Sequence, residues 1–408
     1  MAKQGRSMDV GFGVFKEHET DWVFNRTLAF MQEKAADIGD CLYTARKIDE
    51  QNGESWISEW EKLADRVYQQ GNESLENKHF VSARESFLRA SNYYRTAEYG
   101  CEPSHPKFNP LWQSSVDCMI AAGKLFDPQI ERIVVKYEGY ELPGYFWRPE
   151  KKGNHPTLVV AGGNDSSLEE VIFWVGMAAV RRGYNLFTFE HPGHRGALHL
   201  YPDCVKIPDF EKPYEKAFDL LETLPGVDER IALKGYSFGG YVTCRVAAYE
   251  KRIKAIIPCS PIIDGYKLFS NDSKDSLLLK ILSDRMLDKL VEKAMDKSPM
   301  RKSLAKYTMW SFGTPDLSWS EFSKFEAQKK FNCVNTLKYI TCPTFAMLGK
   351  GEGEEMKRQA DTFINMISSN EKILYEFSKD NDGTNDHCQL DGLSRANQVM
   401  FDWLDETL

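Results

Sequence analysis

The sequence predicts an α/β protein in which a mostly parallel, doubly wound sheet follows a helical front section and is interrupted by a second helical section. Three observations carry this. Before Asp127 the apolar residues recur at helical spacing. From Ile130 onward, short runs rich in β-branched and aromatic residues alternate with helical segments, the pattern of parallel strands covered on both faces. One of those runs, Ile231-Ala232-Leu233, leads into Gly235-Tyr236-Ser237-Phe238-Gly239-Gly240, a G-x-S-x-G turn from strand to helix.

In the front section, Ile57, Trp60, Leu63, Ala64 and Val67 mark one amphipathic helix, and Ala83, Phe87, Ala90 and Tyr94 mark the next. The Gly71-Asn72 pair between them reads as the turn of a helical hairpin. No second copy of the unit is visible, so no repeat array is expected. Residues 130–137 and 142–147 flank Glu138-Gly139 and read as an antiparallel β-hairpin. Strands follow at 157–161, 185–189, 231–233 and 255–258, with helices at 168–181, near 214–224 and after Ser237. Alternation stops between Ile262 and Ile340, where amphipathic helices, including 276–300, and Trp310 and Trp319 suggest an inserted lid beside the front helices. Strands at 344–348 and 372–377 and a helix at 393–404 complete the pattern. The expected division is a helical domain over 1–127 and a sheet domain over 128–408, with the insertion at about 263–340.

A chain of 408 residues with a net charge of −8 spread over mixed-sign helices offers no basic block for nucleic acid or an anionic membrane. Met1-Ala2-Lys3-Gln4-Gly5-Arg6 is not followed by an apolar segment, and no run long enough to span a bilayer occurs, so a soluble, cytoplasmic protein is expected. Nine scattered cysteines without a C-x-x-C pair argue against a disulfide framework and a zinc site. Cys244 and Cys259 fall in apolar runs and read as small buried hydrophobes. Neither a metal nor a cofactor is expected, and the partner is a small-molecule substrate.

In open sheets of this kind, chemistry gathers beyond the carboxyl ends of the strands. Ser237 is the expected nucleophile there, and it needs a neutral imidazole to take its proton. His387, in Asn385-Asp386-His387-Cys388-Gln389, follows the final strand and stands where that base belongs. The acid that orients it should follow the penultimate strand, in Leu348-Gly349-Lys350-Gly351-Glu352-Gly353-Glu354-Glu355. Glu352 is the candidate, with Glu354 and Asp382 as rivals. An oxyanion hole would combine the N–H of Phe238 with that of Asn164, in Gly162-Gly163-Asn164-Asp165-Ser166-Ser167. Asp165 reads either as part of a helix N-cap or as a substrate-binding or proton-transferring acid. The loop Glu190-His191-Pro192-Gly193-His194-Arg195-Gly196 lacks a third metal ligand at useful spacing and reads as a pocket wall, with His191 as the candidate substrate contact.

Together with Leu88-Arg89-Ala90-Ser91-Asn92-Tyr93-Tyr94-Arg95, these motifs make the chain resemble the α/β-hydrolase group that contains the 2,6-dihydroxypseudooxynicotine hydrolase, the fungal polyketide-shortening hydrolases and the fermentation-respiration switch protein. The resemblance implies a helical cap over a hydrolase domain, a homodimer, a Ser-His-acid triad and hydrolysis of carbon–carbon bonds next to a ketone. It also aligns Asp165 with an acidic residue close to the catalytic Ser of one member. Glu352 stands where Asp is usual, and Lys350-Gly351 replaces the usual acidic lead-in. An ester hydrolase, an acyl-peptidase or acyltransferase using the same triad, and a non-catalytic regulatory protein on the same fold are the alternatives.

Overall fold

The computed structural model describes residues 13–270, 283–323 and 329–408. Its described strands form a single eight-stranded sheet in the order β1-β2-β4-β3-β5-β6-β7-β8. These are β1 Glu131–Tyr137, β2 Tyr140–Trp147, β3 His155–Ala161, β4 Asn185–Phe189, β5 Val227–Tyr236, β6 Ala255–Cys259, β7 Thr344–Gly349 and β8 Lys372–Phe377. The first two form the expected hairpin, turning at Glu138 and Gly139, both with positive φ (47° and 87°). Such a two-residue turn matches the right-handed twist of its strands. β2 also pairs antiparallel with β4, and every remaining pair is parallel.

The central strands β4 and β6 are buried along their whole length and β3 over its last five residues, because helices cover both faces of the sheet. Parallel register then aligns their carboxyl ends. Ala161 of β3 lies opposite Gly235 of β5, Tyr236 opposite Cys259 of β6, Cys259 opposite Met347 of β7, and Gly349 opposite Phe377 of β8. The segments after these strands therefore open onto one edge. This is the α/β-hydrolase architecture, with a helical cap in front of the sheet.

The cap helices are His18–Ala29, Ile38–Ala45, Gly53–Glu76, Phe80–Tyr99 and Phe108–Gly123. Trp22, Phe24, Trp56, Trp60, Phe87 and Tyr93 are buried among them. The sequence placed a turn at Gly71-Asn72, and here the structure corrects it. The helix runs on through both residues, and the chain reverses at Asn77, Lys78 and His79, with Lys78 at φ 61°. Gly71 serves close packing instead: a Cβ there would lie 2.8 Å from a ring carbon of the buried Phe87. The predicted helix at 168–181 is likewise divided, with π-helical bonding over Ile172–Gly176 between Leu168–Val171 and Met177–Arg181. Trp174 in that segment packs on Tyr236, ring centroids 4.7 Å apart, at the end of β5.

Between β6 and β7 lie helices Gly265–Ser270, Asp284–Met295, Pro299–Ser311 and Trp319–Ser323. Part of the stretch read as amphipathic, 276–282, lies outside the described residues. Helix Pro299–Ser311 docks against the cap, its Ser303 hydroxyl donating to the carbonyl of Tyr99 at 2.9 Å. Among the described residues no helix is long and apolar enough to cross a membrane.

Gly71 allows a prediction whose sign depends on packing. Helix propensity alone favours Gly71→Ala by about 1 kcal/mol, whereas forcing a methyl against the enclosed Phe87 ring costs about 1–3 kcal/mol. The variant should unfold at a lower temperature than the wild type in a calorimetric melt, and a rise would show that the helix pair relaxes freely.

Candidate active site

The turn after β5 is shaped by how little room it leaves. Ser237 sits at φ 55°, ψ −117°, a conformation that costs a non-glycine residue about 1–3 kcal/mol. A Cβ on Gly235 would strike the carbonyl of Gly239, and one on Gly239 would strike the carbonyl of Ala161, so glycine is required at both places. The strain is held by backbone bonds on both sides: Ser237 N–H donates to Cys259 O at 3.0 Å, and Gly240 N–H to Ser237 O at 2.7 Å. Ser237 remains half-buried, at the head of helix Phe238–Ala247. Phe238 is the first residue of that helix, where a backbone N–H has no intrahelical acceptor.

His387 lies across from it. Nε2 of His387 is 2.8 Å from Ser237 Oγ, and Nδ1 is 2.6 Å from Glu352 Oε2. The Glu352 carboxylate is 1 % exposed and well supplied with donors: the Ser260 hydroxyl reaches Oε2 at 2.5 Å, and Gly349 N–H reaches Oε1 at 2.8 Å. Burial with hydrogen bonds to both oxygens fixes the carboxylate, and an acceptor at Nδ1 leaves Nε2 as the lone-pair face toward Ser237. Of the rival acids, Asp382 bonds Tyr375 and Arg395, and Glu354 is exposed at the start of helix Glu354–Met366. Neither is placed against His387.

Ser260 escaped the sequence reading. It follows β6 directly, takes a positive φ of 63°, and lies 3.4 Å from His387 Nδ1 as well as against Glu352. The signal was available, since residues just beyond a parallel strand at this edge are the ones to inspect.

Asp386 connects His387 to the cap. Its Oδ1 accepts the His387 N–H at 2.7 Å, and its Oδ2 accepts the indole N–H of Trp22 at 3.0 Å. Burial, with Asp391 beside it, pushes this carboxyl up to about 7.

The loop after β3 approaches Ser237, with Gly163 so close that a Cβ there would lie 3.3 Å from Ser237 Cβ. Asn164 anchors outward, its side-chain amide donating to Thr308 Oγ at 2.9 Å. Asp165 is not the helix cap: Ser167 stands at that position, its backbone N–H donating to the Glu170 carboxylate at 3.0 Å. The Asp165 carboxylate instead meets Arg26 Nη1 at 3.0 Å and the Tyr99 hydroxyl, both from the cap. Arg26 also grips Glu170 with two bonds of 2.7 Å, and Arg195 pairs with Glu98 of the cap while donating to the Asp165 carbonyl at 3.0 Å. His191, expected at the pocket wall, is fully enclosed against His194, Phe210 and Tyr214, and burial holds its imidazole well below the ordinary His range. Nearby, the buried Lys206 packs over Gly193 and lies 5.2 Å from the Phe238 ring. Desolvation brings its ammonium down to about 7.

With a strained serine, an imidazole and a buried carboxylate in one hydrogen-bonded line, comparison with known proteins becomes informative. The profile of the family described as Esterase FrsA-like matches residues 23–314. The chain belongs to the FrsA-like esterase family. It is similar to Hydrolase LUC6 of a Fusarium species, 27% identical over 418 residues and covering 97% of each chain. Similarity to the 20-hydroxy-prefusarin hydrolase FUS2 of Gibberella moniliformis is the same, 27% over 419 residues and 97% of each chain. Among solved structures, the 2,6-dihydroxy-pseudo-oxynicotine hydrolase superposes with a TM-score of 0.72 over 93% of this chain and 95% of that one, at 21% identity. This FrsA-like protein is therefore a hydrolase of the α/β-hydrolase fold, related to named fungal hydrolases.

Asp386 provides a pH test. Its carboxyl keeps a proton up to about 7 in the folded chain, against an ordinary 3.8. Between those values the folded state binds more protons than the unfolded one, so stability falls as pH rises from about 4 to about 7. The loss reaches on the order of 4 kcal/mol at most. Urea melts across that window should show this decline in the wild type and a flatter profile in Asp386→Asn; equal slopes would remove Asp386 as its source.

Proposed function

We propose that this protein is a serine hydrolase in which Ser237 attacks a substrate carbonyl, His387 transfers the proton and Glu352 orients the imidazole. The single observation that carries the reading is the unbroken line Ser237 Oγ, His387 Nε2, His387 Nδ1, Glu352 Oε2, with steps of 2.8 and 2.6 Å at its ends. His387 Nε2 accepts the Ser237 proton as Oγ bonds to the carbonyl carbon, and Glu352 stabilises the imidazolium that forms. The N–H groups of Phe238 and Asn164 take up the negative charge that develops on the carbonyl oxygen. Ser260 supports Glu352 and so fixes the acid in place of the more usual, shorter Asp.

The bond cut is a carbon–carbon bond next to a ketone, as in a β-diketone, or an ester. When the tetrahedral adduct of a β-diketone collapses, the leaving group departs as an enolate whose charge sits on the neighbouring ketone oxygen. His387 returns the proton to it, and water then releases the acyl group from Ser237 by the same steps. The resemblance to the polyketide-shortening hydrolases and the fold shared with the 2,6-dihydroxy-pseudo-oxynicotine hydrolase support the carbon–carbon reading, and the family description supports the ester.

Turnover of an aryl-ester and β-diketone panel should fall by at least about 10³-fold in Ser237→Ala, and a fluorophosphonate should label the wild type alone. Glu352→Gln should lower kcat by about 10²–10⁴-fold with KM nearly unchanged, because the imidazole loses its orienting charge. Undiminished turnover by Ser237→Ala would sink the reading.

A further inference from the structure

Behind the loop that approaches Ser237 lies a second line of serine, histidine and glutamate. Ser166 Oγ is 3.1 Å from His194 Nε2, and His194 Nδ1 meets the Glu190 carboxylate. Ser166, His194 and Glu190 are all at most 3 % exposed, so no substrate reaches this serine. Its outward partner is backbone: the Gly163 N–H donates to Ser166 Oγ at 2.8 Å.

With His194 neutral the line has one direction, and the Gly163 carbonyl, 3.4 Å away, is a longer alternative acceptor for the Ser166 hydroxyl. Glu190 accepts the Nδ1–H of His194, which leaves Nε2 as an acceptor for the Ser166 hydroxyl proton, and the free lone pair of Ser166 Oγ then receives Gly163 N–H. Each bond polarises the next. The fit around the line is close on both sides. A Cβ on Gly162 would run into His194 Nε2 and lie 2.8 Å from Ser166 Oγ, and one on Gly163 would lie 3.3 Å from Ser237 Cβ. Gly163 is thus held between Ser166 and the nucleophile, and the next peptide carries the Asn164 N–H. Glu190 and His194 come from the segment after β4, and Gly163 and Ser166 from the one after β3, so the line also ties two strand-end segments together.

We infer that Glu190, His194 and Ser166 are positioning residues that hold Gly163, and through it the Asn164 N–H, at the distance from Ser237 needed to receive the oxyanion. The inference rests on the reading of Ser237 as the nucleophile. A misplaced oxyanion donor is felt in the transition state far more than in the bound substrate, so the effect falls on kcat.

The test uses full-length protein and a p-nitrophenyl ester, with kcat expressed per Ser237 labelled to completion by a fluorophosphonate. Misfolded chains are thereby left out of the comparison. Ser166→Ala should lower kcat by about 10- to 100-fold with KM within about 3-fold. His194→Ala should show the same split, His194→Gln should recover part of it because its amide can still accept from Ser166, and Glu190→Gln should give a smaller loss. Labelled Ser166→Ala and Glu190→Gln with wild-type kcat per site would overturn the positioning role, as would matching losses in His194→Ala and His194→Gln. A wild type that shows no Ser237-dependent labelling would overturn the hydrolase reading itself, a different result.

Discussion

The arrangement depends on one steric constraint, the crossing of backbone on backbone where β5 turns into its helix. Gly235 lies against the Gly239 carbonyl, Gly239 against Ala161, and Gly240 against the carbonyl of Ser260. Each contact draws together segments that bear on the site: β3 with the loop at Gly163, β6 with Ser260, and the helix with Phe238. The parallel register places these strand ends side by side, and the missing side chains let them close. Ser237 then has nowhere to point but outward, which is why a strained φ persists in an otherwise regular element.

Buried charge pairs set how the cap docks on this edge. Arg26 and Arg95 enclose Glu170, while Arg26 also reaches Asp165, and Glu98 holds Arg195. All six are buried. Paired charges taken out of water gain little net stability, since desolvation offsets most of their attraction, but leaving one partner alone is costly. Such pairs select a single docking geometry and penalise every other. The segments they hold are the one beside Ser237 and the one after β4, and Trp22 adds a bond to the residue before His387. The cap is therefore part of the frame of the site as well as a cover over it.

Much of this was legible in the residues. The central strand segments could be read because buried parallel strands are rich in apolar residues, and the β1–β2 hairpin because a turn pair separates two runs of β-branched and aromatic residues. The proximity of Ser237, His387 and Glu352 followed from their places after β5, β8 and β7. What was missed is also instructive. Gly71 has the same signature as a turn glycine, and only the facing Phe87 ring reveals that it is a packing glycine. Ser260 has no motif of its own. Asp165 and His191 were recognisable as strand-end polar groups, but their partners, Arg26 and Tyr99 for one and the Phe210 and Tyr214 rings for the other, depend on how distant segments fold together. Local spacing carries no record of such partners.

Trp22 and Asp386 stand 364 positions apart, and Arg26 is 144 from Glu170. On the ribosome the cap helices are made well before the groups that anchor them. Arg26 must wait in water, where its charge is at no cost, until the β3 loop appears, and Trp22 until all eight described strands have been made. Contacts of such long range close late and slowly. The apolar cap surface is open to wrong partners in the interval.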